Sequence, residues 1–314
     1  MDSRKERKKR KRENDRDRQR KWRAEKQLAL VKNRLAVQLH RSGIKHAGTR
    51  GKYKIGIRNR TRWRLRYSGR ATVVQRIGEQ LKTNNTLKEL DLGVNNIIDV
   101  QSIGEALKTN KTLKELQLHN NKITDVQSIG EALKTNKTLT YLRLGENNIT
   151  DVQSIGEALK TNNTLKVLDL RYNNITDVQS MAEALKTNKT LVGMNLRYNN
   201  ITDVQSIGEA LKTNKTLKGI DLGYNNITDV QSIGEALKTN NTLRRLNLEN
   251  NNITDGEIQS IIDGLKTNNT LYELDLYNNQ LSDNMKSQLQ AIEQYKRDGS
   301  NGYQQENQFE ILLE

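Results

Sequence analysis

A seven-residue segment, LKTNxTL, recurs eight times along the chain and constrains the fold more than any other feature. Successive copies are separated by 26 residues six times and then by 28 residues once. A fixed period of this length predicts a solenoid, in which each repeat buries its apolar face against its neighbours. The copies begin at Leu81, Leu107, Leu133, Leu159, Leu185, Leu211, Leu237 and Leu265.

A second motif, LxxLxLxxNxI, follows each of these segments, with another apolar residue at one fixed position in three copies (Met194, Ile220 and Leu281). In the fourth copy its fixed positions are Leu165, Leu168, Leu170, Asn173 and Ile175. Together the two motifs resemble the leucine-rich repeat, and the NxTL step is similar to the ribonuclease-inhibitor-like subfamily. The resemblance covers residues 71–296 and implies an α/β solenoid, a horseshoe with a parallel sheet on its concave face and helices on its convex face. The 26-residue repeats are shorter than is usual in that subfamily, so we expect a different curvature.

The second half of each repeat predicts a short amphipathic helix. In one copy Val152, Ile155 and Leu159 recur at the spacing of a single helical face, which we expect to point into the core. Thr150 and Gln153 stand three residues apart just before this face. That spacing predicts a capping box, in which the threonine hydroxyl would satisfy the first free N–H groups of the helix.

Three other positions in the repeat have structural interpretations. Gly156 lies inside the predicted helix, and a close approach between stacked helices would explain it. Asn162 suits a left-handed residue that ends the helix. The resemblance implies that Asn173 belongs to a ladder of asparagines, whose side chains bond backbone groups that the turn would leave unpaired.

The net positive charge of the chain comes entirely from its first 70 residues. They hold 27 Lys or Arg and 6 Asp or Glu, whereas residues 71–314 hold 26 and 31. The net charges are therefore +21 and −5, which together give the +16 of the whole chain. This asymmetry favours a polyanionic partner for the N-terminal arm.

The basic run Lys8, Lys9, Arg10, Lys11 and Arg12 resembles a nuclear localisation signal, and we single it out as a polyanion or importin contact. A solubilising tail is the alternative. Further along, Tyr53, Trp63 and Tyr67 alternate with cations, a pattern that allows base stacking. The period-2 spacing of Trp63, Leu65 and Tyr67 equally predicts a strand that caps the open end of the solenoid.

These patterns divide the chain into five parts. Residues 1–60 form the basic arm, which we expect to be disordered at first and then helical, and residues 61–86 form a degenerate capping repeat. Residues 87–281 contain eight leucine-rich repeats, and residues 282–297 form a capping helix. Residues 298–314 are a polar linker and a short apolar tail, which would fold back as a cap or serve as a docking peptide.

Composition argues against several functional classes. The chain has no cysteine and only three histidines, and no phosphate loop or metal-spaced cluster occurs. Paired carboxylates on an open face are not expected to have desolvated, shifted pKa values. We therefore expect no enzyme, no catalytic residue, no metal and no cofactor. The sequence shows no secretory signal and no membrane span, so we expect an intracellular monomer, cytoplasmic or nuclear.

In leucine-rich repeats the residues that alternate with the strand leucines face the concave side. These positions vary between copies while the helices barely change, which favours a binding face over drift at solvated positions. Arg143, Arg171 and Arg197 form a basic run flanked by Tyr172 and Tyr198, and Arg and Tyr are common at binding hot spots. The predicted partner-binding residues are Glu89, Asp91, Glu115, His119, Tyr141, Arg143, Asp169, Arg171, Tyr172, Asn195, Arg197, Tyr198, Asp221, Tyr224, Arg245, Glu249, Asp275 and Tyr277.

The sequence therefore predicts a non-enzymatic scaffold that binds a protein partner on its concave face. The alternative is nucleic-acid or ribonucleoprotein binding through the basic residues 1–70, whose affinity would fall steeply with salt. The resemblance also allows a GTPase-activating role of the Ran type. Proteins with that role carry a strongly acidic C-terminal segment, whereas residues 297–314 of this chain are only mildly acidic.

Overall fold

The structure, a computed structural model, describes residues 62–64, 71–297 and 309–313. These residues belong to one compact unit, Arg58–Glu314. The basic arm predicted over residues 1–60, with its run at residues 8–12, lies outside the described residues, as does the polar linker at residues 298–308.

Ten short strands form one parallel sheet in which the spatial order follows the chain order. The register between neighbours is one repeat, so that Leu142 lies beside Leu168 and Leu168 beside Met194. Each of the first nine strands is followed by a helix, and the predicted α/β solenoid with a parallel sheet is confirmed. The strands are β1 Arg62–Arg64, β2 Glu89–Asp91, β3 Glu115–Gln117, β4 Tyr141–Arg143, β5 Val167–Asp169, β6 Gly193–Asn195, β7 Gly219–Asp221, β8 Arg245–Asn247, β9 Glu273–Asp275 and β10 Glu310–Leu312.

The helices connect successive strands, and each packs against the helices of the neighbouring repeats. Most have seven to nine residues, and the longer ones stand at the two ends. They span Ala71–Thr83, Gln101–Thr109, Gln127–Thr135, Gln153–Leu159, Gln179–Thr187, Gln205–Thr213, Gln231–Leu237, Asp255–Thr267 and Asp283–Arg297. None of the described helices is both long and apolar enough to cross a lipid bilayer.

The core is continuous from repeat to repeat and consists of the leucines and the helical stripe. Leu165, Leu168 and Leu170 are 0% exposed, and the predicted stripe of Val152, Ile155 and Leu159 is at most 1% exposed. Each fully buried aliphatic side chain contributes roughly 1.5–3 kcal/mol to folding. No single repeat closes this core, so its stability comes from stacking on its neighbours.

The asparagine ladder that the resemblance implies is present. The Asn173 side-chain amide donates hydrogen bonds to the carbonyls of Leu170, at 2.9 Å, and of Leu144 in the preceding repeat, at 3.1 Å. Its carbonyl oxygen accepts the N–H of Ile149 at 3.0 Å. Because Leu144 also accepts a bond from Asn147, neighbouring ladder residues share acceptors. These hydrogen bonds connect each turn to the turn of the preceding repeat.

A second asparagine ladder runs along the other edge, where the helix returns to the strand. Asn162 was expected to be left-handed, but the matching residues that end helices, such as Asn136, are extended (φ −68°, ψ 128°). Asn162 accepts the N–H groups of Thr164 and Leu165 at 3.0 and 2.8 Å. Its amide donates to the carbonyl of Leu133 in the preceding repeat at 2.7 Å. Bonding between repeats, not helix capping, accounts for this asparagine.

The predicted capping box is wrong for the 26-residue repeats. Their helices begin at the glutamine, with a valine at the N-cap position and no side-chain capping bond. The aspartate between the threonine and the valine provides the contact, since Asp151 Oδ1 accepts the N–H of Gln153 at 2.7 Å. In the 28-residue repeat, the additional residues at Gly256 lengthen the helix, which begins at Asp255 behind an N-cap threonine.

The last described residues fold back onto the final repeat. Strand β10 pairs in parallel with β9, and the ring of Phe309 is 1% exposed. Lys296 is equally buried, donates to the carbonyl of Asn268 at 2.6 Å and lies 5.4 Å from the centre of that ring. Burial lowers the pKa of this lysine to about 8. The apolar tail thus covers the C-terminal end of the core.

Candidate functional site

The sheet places all the predicted partner-binding residues along one face. Ten of them lie within strands β2–β9, on either side of an inward leucine, methionine or isoleucine. They are Glu89, Asp91, Glu115, Tyr141, Arg143, Asp169, Asn195, Asp221, Arg245 and Asp275. The others follow the strands directly and line the same edge of the sheet: His119, Arg171, Tyr172, Arg197, Tyr198, Tyr224, Glu249 and Tyr277.

The third residue after each strand has a left-handed backbone. In the eight copies φ lies between 52° and 61°. This conformation costs a non-glycine residue about 1–2 kcal/mol, and asparagine tolerates it best. Three copies nevertheless carry tyrosine. The residues are Val94, Asn120, Glu146, Tyr172, Tyr198, Tyr224, Asn250 and Asn278.

The three tyrosines form a continuous stack. The ring centres of Tyr172 and Tyr198 are 4.0 Å apart, as are those of Tyr198 and Tyr224, with interplanar angles of 11° and 22°. The middle ring is 7% exposed. Stacked aromatic pairs stabilise beyond their buried area by about 0.5–1.5 kcal/mol. Burial, together with a hydrogen bond to Tyr198, raises the pKa of Tyr224.

Arg197 lies against this stack and connects three repeats. Its guanidinium carbon is 4.4 Å from the ring centre of Tyr224, a cation–π contact. It forms a close ion pair with Glu249, two repeats further on, and lies 3.8 Å from Asp221. We call Tyr172, Arg197, Tyr198, Asp221, Tyr224 and Glu249 the tyrosine–arginine cluster. Since every member touches another, these contacts hold its side chains in place.

The other two arginines of the predicted basic run share one carboxylate. The Nε atoms of Arg143 and Arg171 lie 3.2 and 3.4 Å from Asp169 Oδ2. Neither N–H is aligned for a hydrogen bond, so these contacts are electrostatic. The three arginines of the predicted basic run are therefore not surrounded by positive charge alone. All three arginines are paired with acids, and the centre of the face carries mixed charge.

Glycines beside the larger side chains explain part of the variation between copies. A Cβ at Gly223 would lie 2.7 Å from the Arg197 guanidinium, and one at Gly145 would lie 3.0 Å from Arg171. A Cβ at Gly93 would lie 2.2 Å from the ring of His119. Each large side chain thus occupies the space above a neighbouring glycine. Matched pairs of this kind are not expected from independent drift at solvated positions.

The two ends of the face differ from its centre. Glu89, Asp91 and Glu115 give the first strands an acidic character, and Asp91 also accepts the N–H of Gly93 at 3.0 Å. At the other end Arg245 pairs with Glu273 at 2.8 Å, and Tyr277 is 43% exposed. No cluster of three or more His, Cys, Asp or Glu among the described residues has the geometry of a metal site.

Burial shifts the pKa values of several groups on this face, among them His119 and Asp221. It lowers the pKa of His119 to about 4, with help from Arg143. It raises the pKa of Asp221 to about 6, against the opposing effects of Arg197 and the N–H of Gly223 and with added repulsion from Glu249 and Asp275. The expectation that carboxylates on this face escape desolvation is therefore wrong for Asp221.

The variant Asp221→Asn isolates this effect. Because the folded-state pKa is raised, the native state favours the neutral carboxyl, and that contribution is lost as pH rises from about 4 through about 6. The amide of the variant is neutral throughout this range. We expect the variant to match the parent near pH 4 and to exceed its free energy of unfolding by about 1–2 kcal/mol at pH 7.

Urea titrations of both proteins between pH 4 and 7 would measure the difference. Asparagine occupies the same position in two other copies, where Asn195 and Asn247 accept the same backbone N–H at 3.0 and 2.9 Å. The backbone bond is therefore preserved in the variant. A difference that does not change with pH would contradict the assignment.

Sequence reasoning found the positions on this face but not their contacts. The tyrosine stack was visible as tyrosine in three consecutive copies of one position, 26 residues apart. The pairing of Arg197 with Glu249 across two repeats had no local signal, because it depends on Gly223 leaving the space between them.

Comparison with known proteins gives the family. A family model described as a leucine-rich repeat matches residues 83–100, 109–126, 135–152, 161–178, 213–230 and 239–256. Its description names no subfamily, so the ribonuclease-inhibitor-like assignment stays a prediction. No curated protein matches the sequence.

Two solved structures from Listeria monocytogenes are similar to this chain. Internalin C2 matches with a TM-score of 0.51 and 24% identity, over 76% of this chain and 84% of that one. The functional domain of InlJ, described as including a cysteine ladder, matches with a TM-score of 0.40 and 26% identity, over 65% of this chain and 37% of that one. The first likeness supports the fold alone. With six matched repeats and one parallel solenoid sheet, the chain is a leucine-rich repeat protein.

Proposed function

We propose that this protein is a non-enzymatic interaction scaffold that binds a protein partner on the concave face, centred on the tyrosine–arginine cluster. The observation that carries the proposal is the packing of Arg197 between Tyr224 and Glu249, in the middle of the sheet. Tyrosine and arginine are the residue types most enriched at binding hot spots, which cluster near the centres of interfaces.

The physical argument is preorganisation. Binding normally immobilises mobile side chains, at about 0.5–1.5 kcal/mol for each one. Here the stack and the ion pair already fix these side chains, and the strands beneath them are paired on both sides in the sheet. A partner that covers Tyr172 and Tyr224 gains aromatic contact without ordering the surface first.

His119 and Asp221, two of the groups with shifted pKa values on this face, are not placed as catalytic residues would be. His119 is buried against Gly93, and its lowered pKa keeps it neutral at pH 7. Asp221 faces Arg197. Both are engaged with neighbouring repeats, which supports a binding role. A nucleic-acid role for residues 1–70 stays a prediction, since this segment lies almost wholly outside the described residues.

The test uses a displayed library of random 20-residue peptides, selected on the full chain. The variant Tyr172→Asn, Tyr198→Asn, Tyr224→Asn removes the stack but keeps a left-handed backbone, because Asn120, Asn250 and Asn278 fill this position in other copies. We expect selected peptides to bind this variant at least about thirtyfold more weakly, as for loss of a hot spot.

The matched control is Gln153→Ala, Gln179→Ala, Gln205→Ala, three exposed residues at the starts of helices in the same region. Peptide binding to this control should equal binding to the parent, and thermal melting should show all three proteins folded. If the selected peptides bind the tyrosine variant as tightly as the parent, the concave proposal is wrong.

A further inference from the structure

One edge of the solenoid carries an uninterrupted row of positive charge. It consists of the eight five-residue segments that lead from a ladder asparagine to the next strand, such as 110–114 and 214–218. These segments contain nine cations and no acidic residue. We call this surface the basic edge; its cations are Lys88, Lys111, Lys114, Lys137, Lys166, Lys189, Lys215, Lys218 and Arg244.

These nine side chains are exposed and uncompensated. All nine residues are exposed, and within the described part of the chain none of them takes part in an ion pair. The lysines that end the helices behave differently. Lys108 and Lys134, for example, lie 2.8 and 2.7 Å from a glutamate one turn earlier. The helix lysines are thus neutralised locally, whereas the basic edge retains its charge.

The opposite edge has the opposite sign. All strands are parallel, so the segments that leave the strands lie along the other side of the sheet. These segments, which run from the other ladder asparagines to the helix starts, hold eight aspartates and a single cation, Lys122. Six of these aspartates accept the N–H of the first residue of a helix, as Asp125 does from Gln127 at 2.7 Å. The charge of the solenoid is therefore separated across its width.

Compensation of helix dipoles explains only part of this separation. It accounts for aspartates at helix starts and for the paired lysines in the last helical turns. It does not account for Lys88, Lys114, Lys166, Lys218 and Arg244, each of which stands immediately before a strand. A second row of cations beyond the helix ends needs another explanation.

The average linear charge density of the basic edge is close to that of one strand of a nucleic-acid duplex. Neighbouring strands are about 4.8 Å apart, so the seven segments that carry cations extend over roughly 30 Å. Nine cations over that length give one about every 3 Å, close to the roughly 3.4 Å of axis per phosphate along one strand of a duplex. Seven of the eight segments consist only of Asn, Thr, Leu, Val, Lys and Arg, and Tyr272 is the sole aromatic side chain.

Single-stranded nucleic acid is held mainly on aromatic stacking platforms, and membrane surfaces favour apolar side chains that insert. The basic edge offers neither. We propose that the basic edge binds the phosphate backbone of double-stranded nucleic acid without reading its bases. This surface is separate from the concave face, so the proposal does not depend on the proposed function.

The chain supplies its own substitutions for a test. The position of Lys111, Lys137, Lys189 and Lys215 is asparagine in the other copies. A loss variant therefore changes these four lysines to asparagine, and a gain variant changes Asn85, Asn163, Asn241 and Asn269 to lysine. A control variant adds four lysines on the opposite edge, at Asn148, Asn174, Asn200 and Asn226, where Lys122 shows that lysine fits.

All variants are made in the full chain, so the N-terminal arm contributes equally to each. The probe is a fluorescein-labelled 24-base-pair DNA duplex of mixed sequence, titrated by anisotropy at several NaCl concentrations. We expect the loss variant to raise Kd about tenfold and to lower the log–log salt slope by about 0.9 for each phosphate that it no longer neutralises. The gain variant should tighten binding, and the control variant should not.

Three results would overturn the proposal. The first is an unchanged Kd for the loss variant. The second is equal tightening by the gain and control variants, since net charge alone would then explain binding. The third is a loss variant that weakens binding to phosphatidylserine vesicles but not to the duplex, which would assign the edge to lipid. Thermal melting of each variant confirms that the fold is intact.

Discussion

The variant Asn147→Ala is expected to lower the free energy of unfolding by about 3 kcal/mol. Asn147 is buried in the middle of the first asparagine ladder. Its side-chain amide donates to the carbonyls of Leu118 and Leu144 at 3.0 and 2.9 Å, and its oxygen accepts the N–H of Ile123 at 3.0 Å.

The cost arises chiefly from one group. The carbonyls of Leu118 and Leu144 keep a second donor in the variant, from Asn121 and Asn173 respectively. The N–H of Ile123 has no such replacement, and an unsatisfied buried donor costs about 1–3 kcal/mol. Loss of the remaining bonds, which tie one repeat to the next, brings the total near the upper end of that range.

The neighbouring asparagine provides the control. Asn148 is exposed, so Asn148→Ala should change stability by less than about 0.5 kcal/mol. Urea unfolding monitored by circular dichroism would compare both variants with the parent. Equal stabilities of the two alanine variants would show that the ladder does not hold the repeats together.

The ladder also shows what the sequence could predict. The repeat length and the positions of Leu165, Leu168 and Leu170 determine the strand, because only one face of it is apolar. The helical stripe follows from the 3.6-residue period. These patterns depend on burial, which acts identically in every copy. The solenoid and its parallel sheet were therefore predictable.

Contacts that depend on competition between polar groups were not predictable. Thr150 and Asp151 are both good helix-capping residues, and the backbone geometry selects the aspartate. Asn162 could end a helix locally, but it bonds a carbonyl of the preceding repeat. In each case the three-dimensional structure determines which polar group forms the hydrogen bond, and a local sequence pattern does not show which of the candidates will be in reach.

The sequence predicted the positions of the candidate site residues but not the ion pairs that they form. Alternation along the strands located Arg143, Arg171 and Arg197, and their residue type identified them as a basic run. The acids that neutralise them lie one or two repeats away. Identical spacing in every copy makes all such pairings equally possible in sequence, so only side-chain size decides among them. Gly223 and Gly145 leave the space that the side chains of Arg197 and Arg171 occupy.

The variant Gly208→Val is expected to lower the free energy of unfolding by about 3 kcal/mol, as much as Asn147→Ala, because neighbouring helices are in close contact at this glycine. A Cβ at Gly208 would lie 2.3 Å from Ser232 Oγ and 2.4 Å from the Ser232 carbonyl carbon, on the next helix. The backbone there cannot move without separating the helices Gln205–Thr213 and Gln231–Leu237. Overpacking of this kind forces such shifts, and the extra methyl groups of valine prevent a small adjustment. Alanine is less severe, since Ala182 fills the matching position in one copy.

Gly256 is the matched control, because a Cβ there would meet nothing closer than Thr254 Oγ1, at 4.0 Å. Gly256→Val should leave stability unchanged or raise it by less than about 1 kcal/mol, since glycine is the poorer helix former. Thermal unfolding of the two valine variants separates a steric effect from helix propensity, which acts in the same direction at both sites. If Gly208→Val melts with the parent, the helices are not in close contact at this position. If it melts in two steps, the solenoid has been divided there, which is the behaviour expected when neighbouring repeats are no longer coupled.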